Sequence, residues 1–191
     1  MPRYRATWLH TSLCAYALFS ATASLQAATV PALISGPSLS KLAEILQLPL
    51  KNSDRPTLLI FLSARCPCSM SHEETLRTLA EDFSEFRFIG IHSNTDEPAQ
   101  ESREHFQKAN LPFPVLQDEH AKLADLLGAF KTPHVFIIGK TGDILYQGGV
   151  DNSHNPARAT QPYLRNALLA VRAKNPVEVA QARALGCIIK R

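Results

Sequence analysis

Tryptophan, glycine and cysteine are all scarce in this chain, and no internal repeat or low-complexity tract occurs in its 191 residues. Repeat and solenoid architectures are therefore excluded. Neither sign of charge dominates: 20 Lys+Arg stand against 17 Asp+Glu for a formal charge of +3, which leaves no footprint for nucleic acid or an anionic membrane. Outside the first 27 residues the strongest apolar run, residues 58–62, is far too short to span a bilayer. Four cysteines are too few and too unevenly placed for a stapled disulfide framework.

What is present begins with a leader. Arg3 and Arg5 precede a stretch, residues 6–25, rich in Ala, Leu, Ser and Thr without an acidic residue, and small residues follow at Ala23, Ala27 and Ala28. Residues 1–27 read as a secretory signal peptide. The expectation is export, in a bacterium to the periplasm, with no stable membrane insertion after cleavage. Cys14 lies too early in the apolar stretch to be a lipid attachment site. Loss of Arg3 and Arg5 lowers the formal charge to about +1, and Cys66, Cys68 and Cys187 remain in an oxidising compartment. With an odd number, at least one thiol is free, shared or engaged in exchange.

Residues 58–69, LLIFLSARCPCS, carry the most information. The run Leu58, Leu59, Ile60, Phe61, Leu62 predicts a buried strand. Leu76, Leu79 and Phe83 then recur at helical spacing, opposite His72, Glu73, Glu74, Arg77 and Glu81, which predicts an amphipathic helix. Pro67 suits its first turn. Cys66 thus falls at or just before a helix N-terminus, where unpaired N–H groups favour a thiolate, and Arg65 adds positive charge beside it.

Residues 28–56 form a lead-in with a short helix marked by Leu39, Leu42, Ile45 and Leu46. Beyond it, strands are predicted at 57–62, 86–91, 113–116, 134–138 and 144–146, and helices at 98–109, 119–130 and 163–174, with a glycine-bearing hairpin at 139–143. Residues 150–161 read as a loop, and 175–191 as a tail that wraps back and carries Cys187. The pattern predicts an α/β domain over residues 57–174, a central mixed sheet flanked by helices.

A strand ending in Cys66-Pro67 at a helix start, then Lys131-Thr132-Pro133-His134 before a β-run and a hairpin, resembles the thioredoxin superfamily, and more closely its redoxin or peroxiredoxin-like (thiol-specific antioxidant) branch. The resemblance implies a thioredoxin-like fold, a cis bond before Pro133 beside the active cysteine, and thiol chemistry without an organic cofactor. The tail ALGCIIKR is similar to the Gly-Cys ending of some bacterial redoxin-like proteins. Spacing departs from the family patterns: Ser69, not cysteine, stands three after Cys66, and Leu59 stands where peroxiredoxins carry proline, although Ser63 fits their hydroxyl position.

The leading expectation is an exported thiol-disulfide oxidoreductase with Cys66 as attacking thiolate and Cys68 or Cys187 as resolving thiol, taking thiol or disulfide proteins, or a peroxide, with electrons from a thiol donor. Arg65, Thr132, Pro133 and His134 are the expected substrate-binding residues. Cys68 bridged to Cys66 would be strained. Alternatives are a thiol peroxidase, a Cu(I) chaperone using Cys66, Cys68, His72 and His134 as soft ligands, and a redox-inactive interaction module. No resident metal is expected. His72 reads as a solvated surface histidine, Asp151 as a solvated loop residue, and Asp118 with Glu119 as a helix cap and first turn.

Overall fold

A computed structural model of the chain describes residue 44 and residues 54–191. The predicted signal peptide lies outside those residues, as does the predicted lead-in apart from residue 44, which is helical, and residues 54–56. The strands are β1 (Thr57–Leu62), β2 (Arg87–His92), β3 (Val115–Gln117), β4 (Lys131–Thr132), β5 (His134–Ile138), β6 (Ile144–Gly148) and β7 (Cys187–Ile188). The helices are α1 (Pro67–Ser71), α2 (Glu73–Asp82), α3 (Ala99–Ala109), α4 (Lys122–Leu127) and α5 (Tyr163–Arg172).

β1 is buried along its whole length because it is the central strand of a mixed sheet ordered β3-β2-β1-β5-β6. β2 and β3 run parallel to it on one side, and β5 and β6 continue antiparallel on the other. Strand alternation divides its side chains between two cores. Leu58, Ile60 and Leu62 pack with Leu76, Leu79 and Phe83 of the α2 segment and with Leu164 and Leu168 of α5. Leu59 and Phe61 pack with Phe136, with Leu123 and Leu127 of α4, and with Ile189 of the tail. Central burial on both faces explains why β1 was legible as an unbroken apolar run.

Three elements differ from expectation. The single helix predicted after Cys66 is two, broken at His72. The helix predicted over 119–130 is a 3-10 turn at Glu119–Ala121 followed by α4, which ends at Gly128 in the left-handed region, a common glycine stop. Asp118 caps it, its carboxylate accepting the Leu123 and Ala124 N–H groups. β4 and β7 form a second, two-residue antiparallel sheet, too short to leave a periodic signal. Among the described residues no helix is long and apolar enough to cross a membrane.

Candidate active site

The turn out of β1 is built on one side chain. Ser63 Oγ accepts the N–H groups of Cys66 (2.9 Å) and Arg65 (3.2 Å) and donates to Glu97 Oε1 (2.5 Å), so the loop before α1 is tied down ahead of the cysteine. Glu97 is buried and accepts from Ala64 N–H, His92 Nε2 and Asn94 Nδ2 as well. Burial pushes its carboxyl up, but the hydrogen bonds from His92, Ser63, Asn94 and Ala64 outweigh it and hold the group down at about 2. For His92 burial works downward, and Glu97 and Gln117 more than reverse it, so the ring sits above the ordinary histidine value.

Cys66 caps α1 with Pro67 at its first position and is 1% exposed. The tail lies against it. β7 pairs antiparallel with β4, Thr132 opposite Cys187, and the Cys187 N–H points at Cys66 Sγ, 3.4 Å away. As a thiol, Cys66 donates to the Thr132 carbonyl at 3.2 Å, and the Thr132–Pro133 bond is cis. Gly186 makes this approach possible: it has φ +140°, and a Cβ there would overlap the Thr132 carbonyl oxygen. Beyond the site, Ile189 is buried while Ile188 is 61% exposed, so alternation in the strand seats only one of the two isoleucines. That burial is worth up to about 3 kcal/mol. Lys190 closes the strap, its N–H donating to Asn94 Oδ1 and its carbonyl accepting from the Thr95 N–H.

The three thiols are unbridged and differ in character. Burial opposes a thiolate at Cys66, but the Cys187 thiol and N–H, the Thr132 side chain and the Ser69 N–H favour it, and its pKa falls below the ordinary thiol value. The Thr132 hydroxyl is buried with no other partner, so an ionised sulfur gives it an acceptor. Although Cys187 is exposed as a residue, partial desolvation of its thiol and the Cys66 sulfur push it up to about 12. Cys68 is raised by burial and by Cys66, with Lys131 acting the other way.

Cys68 meets the loop after β6, its Sγ 3.1 Å from His154 Nδ1. Here two expectations are corrected. His72 is buried, not solvated, because its Nδ1 bonds the Cys68 carbonyl (2.6 Å) and its Nε2 the Asp151 carboxylate (3.2 Å). Asp151 is 5% exposed, not a solvated loop residue, and its other oxygen accepts the Ser153 N–H.

Arg65 turns outward, forking onto Glu101 (2.8 and 2.5 Å), and the groups that favour the Cys66 thiolate are others. His134 is buried between Phe130 and Phe136, with ring centroids 5.5 and 4.6 Å away. Its Nδ1 lacks a partner, and burial pushes it down to about 4, so the ring is neutral. His72 and His134 thus have separate surroundings and do not converge with the thiols, and among the described residues no group of three or more His, Cys, Asp or Glu is arranged to hold a metal ion. Thr132 meets Cys66 through its carbonyl, and the bond before Pro133 is cis.

Sequence reasoning missed His92, the last residue of β2, and Glu97 and His154, which sit in polar stretches; none of the three carries a motif signal. Gly186 was visible beside Cys187, but its reason, contact with a strand remote in sequence, was not.

A mixed sheet with a cysteine at a strand-to-helix junction, facing a cis-proline turn, defines a thioredoxin-like protein. A thioredoxin-like protein in its oxidized form shares the fold at TM-score 0.54, with 16% identity and coverage of 64% of this chain and 81% of that chain. Residues 41–147 match the AhpC/TSA family, and the chain belongs to it. It is also similar to an uncharacterized conserved protein from Geobacillus kaustophilus, at 30% identity and TM-score 0.66, covering 73% of this chain and 79% of that one. A hypothetical protein from Sinorhizobium meliloti 1021 is 28% identical at TM-score 0.65, covering 78% and 83%. No curated protein matches.

Proposed function

We propose that this is an exported thiol-disulfide oxidoreductase of the redoxin type in which Cys66 attacks and Cys187 resolves. The observation that carries the reading is the docked tail, with the Cys187 N–H on Cys66 Sγ. A Cys66 thiolate attacks one sulfur of a protein disulfide, and the other sulfur leaves and takes up a proton. Cys187 then gives up its proton and attacks the Cys66 sulfur, releasing the second substrate thiol and leaving a Cys66–Cys187 disulfide, which a thiol donor reduces. Family membership supports redox chemistry, and the leader-like residues 1–27 support export to the periplasm.

A second reading, thiol peroxidase, is favoured by one feature. Cys66 is 1% exposed beneath β7, and a peroxide needs a smaller opening than a polypeptide does. In that case Cys66 becomes a sulfenic acid and Cys187 condenses with it, releasing water.

The test is a trap. Cys187→Ser should stall as a mixed disulfide between Cys66 and a protein substrate such as insulin, or as a Cys66 sulfenate with peroxide, and turnover should fall about 100-fold, in line with loss of an intramolecular thiol. Which oxidant is consumed separates the two readings. Undiminished turnover by Cys187→Ser overturns the assignment of the resolving thiol, and no turnover of either by the unaltered protein leaves an interaction module.

A further inference from the structure

Cys68 and His154 meet at 3.1 Å, and the meeting is held from both sides. The α1 end supplies Ser71, whose hydroxyl donates to the His154 carbonyl at 3.1 Å. Beneath it, the buried His72 ring links the Cys68 carbonyl to Asp151, three residues before His154. The loop is further pinned by Ser153 N–H on Asp151 and Asn155 N–H on Ser153 Oγ. His154 itself is exposed, so a proton it takes can pass to solvent. On its other flank, the Cys68 Cβ lies 3.4 Å from where a Cβ of Gly186 would stand, next to Cys187. Nothing in the two-thiol reaction above uses Cys68, His154, His72 or Asp151.

We propose that His154 is a catalytic general base for Cys68, and that this dyad moves the buried disulfide outward, converting Cys66–Cys187 to Cys68–Cys187. The step rests on the reading above and balances without an outside reagent. His154 Nδ1 takes the Cys68 thiol proton, and the Cys68 sulfur bonds to the Cys187 sulfur. The Cys66–Cys187 bond breaks, and Cys66 leaves as a thiolate. Overall oxidation state is unchanged.

The direction follows from the three thiols. Cys66 leaves beside the Thr132 hydroxyl and the Ser69 and Cys187 N–H groups, which favour its thiolate, whereas Cys68 is held as a thiol at rest and needs a base to become a nucleophile. The result is functional. Cys66 is buried but Cys187 is exposed and Cys68 half-buried, so the transferred disulfide faces solvent, where a thiol donor reaches it without lifting the tail. Charged and titratable groups facing the dyad are Cys66, Cys187, Lys131, His72 and Asp151.

The purified full-length protein is oxidised with one equivalent of diamide, quenched with acid at successive times, alkylated and mapped as non-reduced peptides. Cys66–Cys187 should appear first and decline as Cys68–Cys187 grows. In His154→Gln the transfer should slow about ten-fold at pH 7 yet match the unaltered protein near pH 10, where hydroxide ionises the thiol unaided. Added imidazole should restore part of the rate to His154→Ala. Equal transfer rates at pH 7, or a Cys66–Cys187 bridge that persists with no Cys68–Cys187, would overturn the dyad while leaving the resolving role of Cys187 intact. If Cys66–Cys187 forms in no sample, both fail together.

Discussion

The two flanks of Cys66 are held in opposite ways. On one side the tail docks through its backbone: β7 on β4, the Cys187 N–H on sulfur, and a glycine whose lack of a side chain lets two main chains touch. On the other, the loop at 151–155 docks through side chains, chiefly the buried His72–Asp151 pair and the Ser71 hydroxyl. Backbone docking depends on shape and fails when a single methyl is added. Side-chain docking depends on paired polar groups and fails when one partner is left alone in a buried site.

The largest effect should come from Gly186→Ala. A Cβ at φ +140° meets the Thr132 carbonyl oxygen, so the tail must lift, and the Cys66–Cys187 bridge should form about 100-fold more slowly because Cys187 loses its position. Quenched-flow alkylation during oxidation measures this, and an unchanged rate would mean that tail docking is not what places Cys187.

On the loop flank, Asp151→Ala leaves His72 Nε2 buried without its partner. A loss of about 1–3 kcal/mol in urea unfolding is expected, with little direct effect on the tail. No measurable loss would show that the pair contributes little to stability.

The smallest effect should come from Arg65→Glu. Its guanidinium lies in solvent on Glu101, where ion pairs are weak, so the alkylation rate of Cys66 should stay within about two-fold. A large slowing would restore Arg65 as the group that ionises the thiol.

The same contrast explains what could be read from the sequence. β1, α2 and α5 announce themselves because burial imposes a period on neighbouring residues, and Cys66 because it ends such a run beside Pro67. Thr132 and Pro133 stand out through the resemblance, but the pairing of Lys131 and Thr132 with the tail was not legible, since a two-residue sheet joins segments 55 residues apart (Thr132 and Cys187). His72 misled because its helical position is polar by pattern, while its partner Asp151 arrives from a loop 79 residues away. His134 follows the proline as expected, but the aromatic pair Phe130 and Phe136 takes its ring. Glu97 and His92 form the buried pair beneath the loop that carries Cys66, and neither residue has a neighbour in sequence that reports it.

The most direct measurement is the identity of the first disulfide formed. Reduced protein mixed with one equivalent of oxidant and quenched at the earliest accessible time should yield a Cys66–Cys187 peptide pair, with Cys68 recovered as the alkylated thiol. A first bridge between Cys66 and Cys68, with Cys187 free, would contradict the resolving role of the tail and leave β7 as a cover over the site.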